Sequence, residues 1–227
     1  MKISEIFYSI QGEGSLVGIP SVFIRTSGCN LRCVWCDTPY TSWSPEGEEL
    51  AVETLLQRVV GYGASHVVVT GGEPMIAPQI VALSERLRAA GLHITIETAG
   101  TVYAPVACDL MSISPKLTNS IPREREGGRW AAQHDRMRLQ PAILRRLTTE
   151  YPFQFKFVVA APEDLTEIQA LCSECAVRPS DVILMPEGIR SDVLHERALW
   201  LAEVCKETGF RFSPRLHVDL WGDRRGV

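Results

Sequence analysis

Gly28-Cys29-Asn30-Leu31-Arg32-Cys33-Val34-Trp35-Cys36-Asp37-Thr38 sets three thiols at C-x3-C-x2-C spacing, close enough in one loop to converge on a single inorganic centre. The loop follows Ser21 to Thr26 (SVFIRT), a run rich in branched and aromatic residues that reads as a strand. Thiolates usually hold each iron of a four-iron cube, so a set of three leaves one iron with an open coordination position. Other readings stand beside this one. A structural zinc site wants four ligands, and no second C-x-x-C or H-x-x-x-H lies nearby in sequence. Cys172 and Cys175 form a pair, but far away in an apparent helix. A disulfide is disfavoured by the odd count of seven cysteines and by the opening MKISEIFYSI, which lacks the features of a signal peptide. Incidental cysteine spacing in a loop is the remaining alternative.

Outward from this loop, short β-rich runs alternate with longer amphipathic ones. Strands are expected at Ser21 to Thr26, His66 to Thr70 (HVVVT), His93 to Glu97 (HITIE), Leu110 to Ser114, Gln154 to Val159 and Val182 to Met185. Helices are expected at Leu50 to Val60, Gln79 to Ala90, near Met137 to Leu147, Glu163 to Glu174 and Asp192 to Thr208. Strands buried on both faces with helical crossovers imply a parallel sheet. About six strands are too few for a closed eight-stranded barrel, so the expected class is α/β, a partial, open parallel βα barrel forming one domain over residues 1–227.

Parallel α/β folds place their sites in the loops that follow the strands. The cysteine motif follows the first strand, and Thr70-Gly71-Gly72-Glu73-Pro74 follows the second. Adjacent Gly71 and Gly72 let backbone approach a ligand, and Glu73 can accept from an ammonium group, although alone the segment also reads as a turn. Glu97-Thr98-Ala99-Gly100 and Ser114-Pro115-Lys116 end the next two strands, and this repeated position favours a shared ligand. Thr118 to Gln140, of mixed charge, reads as a solvated loop leading into a helix and is assigned no site.

Composition excludes several classes. The formal charge is -4, with basic residues dispersed among acids, so no phosphate-tracking surface and no nucleic-acid partner is expected. No apolar run approaches the roughly 20 residues of a membrane span. A cytoplasmic protein with reduced thiols is expected.

The C-x3-C-x2-C motif, with Trp35 just before its last cysteine, resembles the radical S-adenosylmethionine superfamily, and Thr70 to Pro74 resembles that superfamily's segment for the amino group of S-adenosylmethionine. Over nearly the whole chain the resemblance sharpens to the 7-carboxy-7-deazaguanine synthase family, a lyase family of the queuosine (7-deazapurine) pathway. It rests on Glu5 to Gly14 (EIFYSIQGEG), Phe23-Ile24-Arg25, Gly28 to Leu31, Cys36-Asp37-Thr38, Thr70 to Met75, Glu97-Thr98, Ser114 to Lys116 and Lys156 to Val159. The resemblance implies a 4Fe-4S cluster on Cys29, Cys33 and Cys36, S-adenosyl-L-methionine, and Mg2+ on Thr38, whose dull reading is a turn residue. The implied reaction is radical ring contraction of 6-carboxy-5,6,7,8-tetrahydropterin with loss of ammonia.

The residues agree chemically. Gln11 and Glu13 can read the hydrogen-bonding edge of a pterin, and Arg25 can clamp a carboxylate bidentately; solvated turn residues and a structural ion pair are the plain alternatives. By resemblance Ile10, Gln11, Gly12, Glu13, Arg25, Thr70 and His217 contact substrate. Trp35, Cys36, Asp37, Gly71, Gly72, Glu73, Ser114, Pro115, Lys116 and the run Leu184, Met185, Pro186, Glu187 correspond to cofactor contacts. A homodimer and an electron donor such as flavodoxin or ferredoxin are implied as well. A glycyl-radical activating enzyme and a non-enzymatic metal or redox protein are the alternative functions; Gln11-Gly12-Glu13 favours the ring-contracting enzyme over the first, and the second would leave Gly71-Gly72-Glu73-Pro74 and the other post-strand clusters without a purpose.

Overall fold

The computed structural model describes residues 1–227. Nine strands form one sheet: β1 (Lys2–Ile10), β2 (Pro20–Thr26), β3 (Glu48–Glu49), β4 (His66–Gly71), β5 (His93–Thr98), β6 (Leu110–Ile113), β7 (Phe153–Val159), β8 (Val182–Pro186) and β9 (Arg211–Phe212). Their spatial order is β3-β1-β2-β4-β5-β6-β7-β8-β9. The run from β2 to β9 is parallel, while β1 pairs antiparallel with both β2 and β3. The six strands expected from sequence are the parallel β2, β4, β5, β6, β7 and β8.

The antiparallel β1 was not expected. Of its residues only Ile3 is fully buried, and a register shift lies between Ile3 and Glu5, so the strand carries no clean alternation to read. It is held to β2 partly by stacking of Phe7 on Phe23, with ring centroids 5.0 Å apart.

Eight helices follow in chain order: α1 (Pro39–Ser42), α2 (Val52–Gly61), α3 (Ile80–Ala89), α4 (Ala131–Arg138), α5 (Pro141–Glu150), α6 (Asp164–Glu174), α7 (Ser191–Thr208) and α8 (Leu216–Trp221). The one helix expected near Met137 to Leu147 is two, because Gln140 precedes Pro141 and is pushed out of the helical region (φ -128, ψ 81), after which the proline opens a new first turn.

Strand alternation divides the sheet into two chemically different faces. On the outer face Val22 and Ile24, Val67 and Val69, Ile94 and Ile96, Met111 and Ile113, and Phe155 and Phe157 meet Leu55 and Val59 of α2, Leu83 and Leu87 of α3, Leu144 and Leu147 of α5, and Ile168 of α6 in one core of 35 buried residues. The helical partners recur at three- and four-residue spacing, so each helix lays one apolar stripe on the sheet. The inner face is polar towards the C-terminal ends of the strands: Arg25 lies in register with Thr70, Glu97 with Ser112, and Ser112 with Gln154.

The barrel does not close through strand pairing. The turn after β1 meets the chain after β9 instead: the Gly14 N–H donates to Ser213 Oγ at 2.8 Å and the Leu216 N–H to the Gly12 carbonyl at 2.9 Å. Gln154 takes the Ser15 N–H at 2.8 Å and donates to Ser112 Oγ at 2.8 Å, stitching this turn to the inner sheet face. No helix is long and apolar enough to cross a membrane.

Candidate active site

At the C-terminal ends of the parallel strands lies a cavity of about 490 Å³, and Cys29, Cys33 and Cys36 all line it. The loop that carries them is held from several sides. Gly72 N–H donates to the Thr26 carbonyl at 3.1 Å and Glu73 N–H to the Gly28 carbonyl at 2.9 Å, while a Cβ at Gly71 or Gly72 would overlap the Thr26 or Gly28 backbone. Glycine is required there because backbone meets backbone. On its outer side the loop rests on residues 118–134: Val34 N–H donates to the Ser120 carbonyl at 2.8 Å, Arg32 N–H to His134 Nδ1 at 3.0 Å, and Trp35 Nε1 to Asn119 Oδ1 at 3.2 Å. His134 is itself buried, and its Nε2 meets Ser120 Oγ at 2.9 Å. The segment expected to be a solvated loop is therefore the clamp of the cysteine loop; its charged exterior hides a few buried anchors.

All seven cysteines are free. Burial pushes the Cys29 thiol up to about 12, with the Glu73 carboxylate adding to it, and burial raises Cys33 as well. Buried thiols of this kind become thiolates when positive charge arrives, which is the behaviour of cluster ligands. The Leu31 N–H already points at Cys29 Sγ at 3.3 Å. No three His, Cys, Asp or Glu groups gather closely enough for a single metal ion. Cys29, Cys33 and Cys36 would hold an iron-sulfur cluster of the kind expected from their spacing.

Deeper in the cavity, five charged side chains form one network. Glu13 receives Lys156 on one carboxylate oxygen and Arg215 Nε, at 3.1 Å, on the other. Arg215 also donates to the Gly188 carbonyl at 2.6 Å and pairs with Asp37 of the cysteine loop. Lys156 lies 3.8 Å from Glu97, and Glu97 accepts from Gln11 Nε2 at 3.2 Å and from Thr70 Oγ1 at 2.8 Å. Burial alone would raise the Glu13 carboxyl, but Lys156 and Arg215 together hold it well below the usual carboxylate range. Burial opposes the charge on Lys156, yet Glu13 and Glu97 keep its ammonium protonated. Arg25 gives only Nε to the protein, to Glu5 Oε2 at 2.8 Å, so its terminal nitrogens are left for a ligand. Arg25 makes the ion pair that was the plain alternative, with Glu5, and it also lines the cavity.

Ile10, Gln11, Gly12, Glu13, Thr70 and His217 line the same cavity, as do Trp35, Asp37, Thr38, Gly71, Gly72, Ser114, Lys116, Met185 and Glu187. The His217 ring lies where a Cβ on residue 12 would be, so glycine there makes room for the histidine. Thr38 precedes α1 without capping it by a side-chain hydrogen bond.

Four expected contacts do not reach the cavity. Glu73 is 1% exposed, and its carboxylate accepts from Thr98 Oγ1 at 2.7 Å, Ala99 N–H at 2.8 Å and Met75 N–H at 3.1 Å, so it joins two post-strand loops instead of facing a ligand. Pro115 and Pro186 are buried outside the lining, and Leu184 sits in the main core. For these three the cause is alternation, which sends Ser114, Lys116, Met185 and Glu187 inward and their neighbours away. Two residues with no assigned role proved central, Lys156 and Arg215. Lys156 was detectable as a lone cation in the apolar strand FQFKFVV; Arg215, in a loop segment, had no such signal.

Residues 23–118 match the family model described as the Radical SAM superfamily. A 7-carboxy-7-deazaguanine synthase from Halobacterium salinarum is 45% identical over 98% of this chain and 91% of its own length. Another 7-carboxy-7-deazaguanine synthase, from Rhodopirellula baltica, is 47% identical over 100% of the chain and 89% of its own length. Among solved structures, the crystal structure of QueE from Escherichia coli superposes with a TM-score of 0.69 at 27% identity, covering 95% of this chain and 94% of that one.

Proposed function

We propose that this chain, which belongs to the 7-carboxy-7-deazaguanine synthase family of the radical SAM superfamily, contracts the ring of 6-carboxy-5,6,7,8-tetrahydropterin to 7-carboxy-7-deazaguanine with loss of ammonia. One observation carries the reading: a single cavity joins three free, buried or half-buried thiols to an array of hydrogen-bonding groups suited to a pterin edge and a carboxylate. Cys29, Cys33 and Cys36 would hold the 4Fe-4S cluster. When bound, the cluster supplies the electron that cleaves S-adenosylmethionine to a 5'-deoxyadenosyl radical.

The chain's own groups do the positioning. Glu13, held ionised by Lys156 and Arg215, and Glu97 beside Lys156 accept from the amino and ring N–H groups of the pterin, while Gln11, held to Glu97, orients the acceptor. The terminal nitrogens of Arg25 take the substrate carboxylate, which fixes the ring carbon that bears it. Trp35, Ser114, Lys116, Met185 and Glu187, which line the cavity, would hold the cofactor, and Gly71 and Gly72 would give it a backbone wall. Thr38, whose hydroxyl does not cap α1, would be the protein ligand of a Mg2+ shared with the substrate carboxylate, completing an oxygen shell with water. Reduced cytoplasmic thiols agree with seven free cysteines. The homodimer and the flavodoxin or ferredoxin donor rest on the resemblance alone.

The test is substitution of each thiol. Cys29→Ala, Cys33→Ala and Cys36→Ala should each abolish reductive cleavage of S-adenosylmethionine after anaerobic reconstitution, whereas Cys108→Ala and Cys205→Ala should not. Full cleavage by any member of the trio's variants would remove the basis of the assignment.

A further inference from the structure

The six residues after α8, 222–227, all line the main cavity, and 223–226 are exposed, so they form part of its rim. They leave the helix through Gly222, whose backbone (φ 72, ψ -163) lies in a region open essentially to glycine alone. The segment then joins the two edges of the sheet. α8 follows β9 at one edge, whereas Arg225 lands on Glu5 of β1 and on Glu46 just before β3 at the other.

Arg225 is fixed from three sides although its side chain is half exposed. Its Nε donates to Glu5 Oε1 at 2.7 Å, its Nη1 donates to Glu46 Oε1 at 2.6 Å, and its guanidinium lies 3.7 Å from the centroid of the Tyr40 ring. A lone surface ion pair does little, but a guanidinium with two carboxylates and an aromatic face has one preferred place. That place matters because of what else Glu5 holds.

Glu5 is the one protein partner of Arg25, and its two oxygens are divided between two arginines. Oε2 accepts from Arg25 Nε at 2.8 Å and from the Tyr40 hydroxyl at 3.3 Å, while Oε1 is taken by Arg225. A carboxylate with a free second oxygen pairs side-on with a guanidinium and engages two N–H groups at once. With Oε1 released, Glu5 would draw a terminal nitrogen of Arg25 into such a pair, away from the cavity.

We propose that Arg225 is a positioning residue for substrate recognition: by occupying Oε1 of Glu5 it confines Glu5 to the Nε of Arg25 and keeps both terminal nitrogens of Arg25 free for the substrate carboxylate. The inference deepens the function proposed above and rests on it. Arg225 acts through Glu5 and Arg25, so its effect exists only while Arg25 is an arginine. An arginine that merely ties down residues 222–227 would have no such dependence.

The experiment measures kcat and KM for 6-carboxy-5,6,7,8-tetrahydropterin with the reconstituted full-length protein, in wild-type and Arg25→Lys backgrounds. Arg225→Met keeps an unbranched stem over Tyr40 and removes the donors. In the wild-type background it should raise KM about tenfold with kcat within about threefold, and titration calorimetry of the pterin onto unreduced protein should show the same weakening without turnover. In the Arg25→Lys background the fork is already gone, so the same change should lower kcat/KM by less than about twofold. Arg225→Lys, which returns one cationic donor to Glu5, should recover most of the lost affinity. Equal losses in the two backgrounds would make Arg225 independent of Arg25, and an unchanged KM would mean that Glu5 stays in place unaided; either result overturns the proposal. Arg225→Gln carries the same comparison should Arg225→Met not fold. Wild-type protein that cleaves S-adenosylmethionine but never converts the pterin would overturn the proposed function itself, and this inference with it.

Discussion

Arg25→Lys isolates the group that sets substrate specificity. In the structure Arg25 divides its donors, with Nε on Glu5 at 2.8 Å and the terminal pair open to the cavity. A lysine has one ammonium for both tasks, and Glu5, already positioned by β1 and by Tyr40, would capture it. The substrate carboxylate then loses a bidentate partner that an ammonium cannot imitate. Loss of one charge-assisted pair corresponds to roughly 2 to 4 kcal/mol, or about 30- to 1000-fold in kcat/KM. Iron content and S-adenosylmethionine binding should be unchanged, because Arg25 makes no hydrogen bond or ion pair with the cysteine loop. The assay quantifies 7-carboxy-7-deazaguanine and 5'-deoxyadenosine in the same oxygen-free reaction, and a rising ratio of deoxyadenosine to product is expected as the radical meets a misplaced ring. Wild-type kcat/KM in the variant would refute the anchoring role.

Thr38→Ala should lower turnover at limiting magnesium and recover towards wild type in excess, with an unchanged cluster spectrum; identical activity in chelator and in millimolar magnesium would return Thr38 to a turn residue. Gly12→Ala forces its methyl group into the His217 ring, so KM for the pterin should rise at least about tenfold while reductive cleavage of the cofactor persists, and parallel loss of both would show a folding defect instead. Glu13 titrates below its ordinary value of 4.5 because Lys156 and Arg215 outweigh its burial, so its contribution to stability is present above about pH 4.5 and falls away as pH drops below that. Thermal melts between pH 7 and pH 3 should therefore show a steeper loss for wild type than for Glu13→Gln; parallel curves would mean that the ion network adds nothing to acid sensitivity.

What was legible in the sequence follows from periodicity and from backbone chemistry. The six central strands were readable because each is a branched or aromatic run bounded by breakers, and the cavity followed from the loops at their ends. β1 was hidden by its register shift and by a burial pattern with one fully buried residue. The cysteine loop and Gly71-Gly72 were legible as motifs, but the reason for the glycines is contact with Thr26 and Gly28, and Glu73 turned inward to Thr98 and Ala99. Of the run Leu184 to Glu187 only Met185 and Glu187 line the cavity, since a strand presents every second residue to one face. Arg215 could not be placed from sequence, because its three partners, Glu13, Asp37 and Gly188, come from segments that only the folded barrel brings together.

The most direct test of the central claim is anaerobic turnover of 6-carboxy-5,6,7,8-tetrahydropterin by the reconstituted protein with S-adenosylmethionine, magnesium and dithionite, read by mass spectrometry. Formation of 7-carboxy-7-deazaguanine with release of ammonia is expected. Steady release of 5'-deoxyadenosine with the pterin left intact would contradict it.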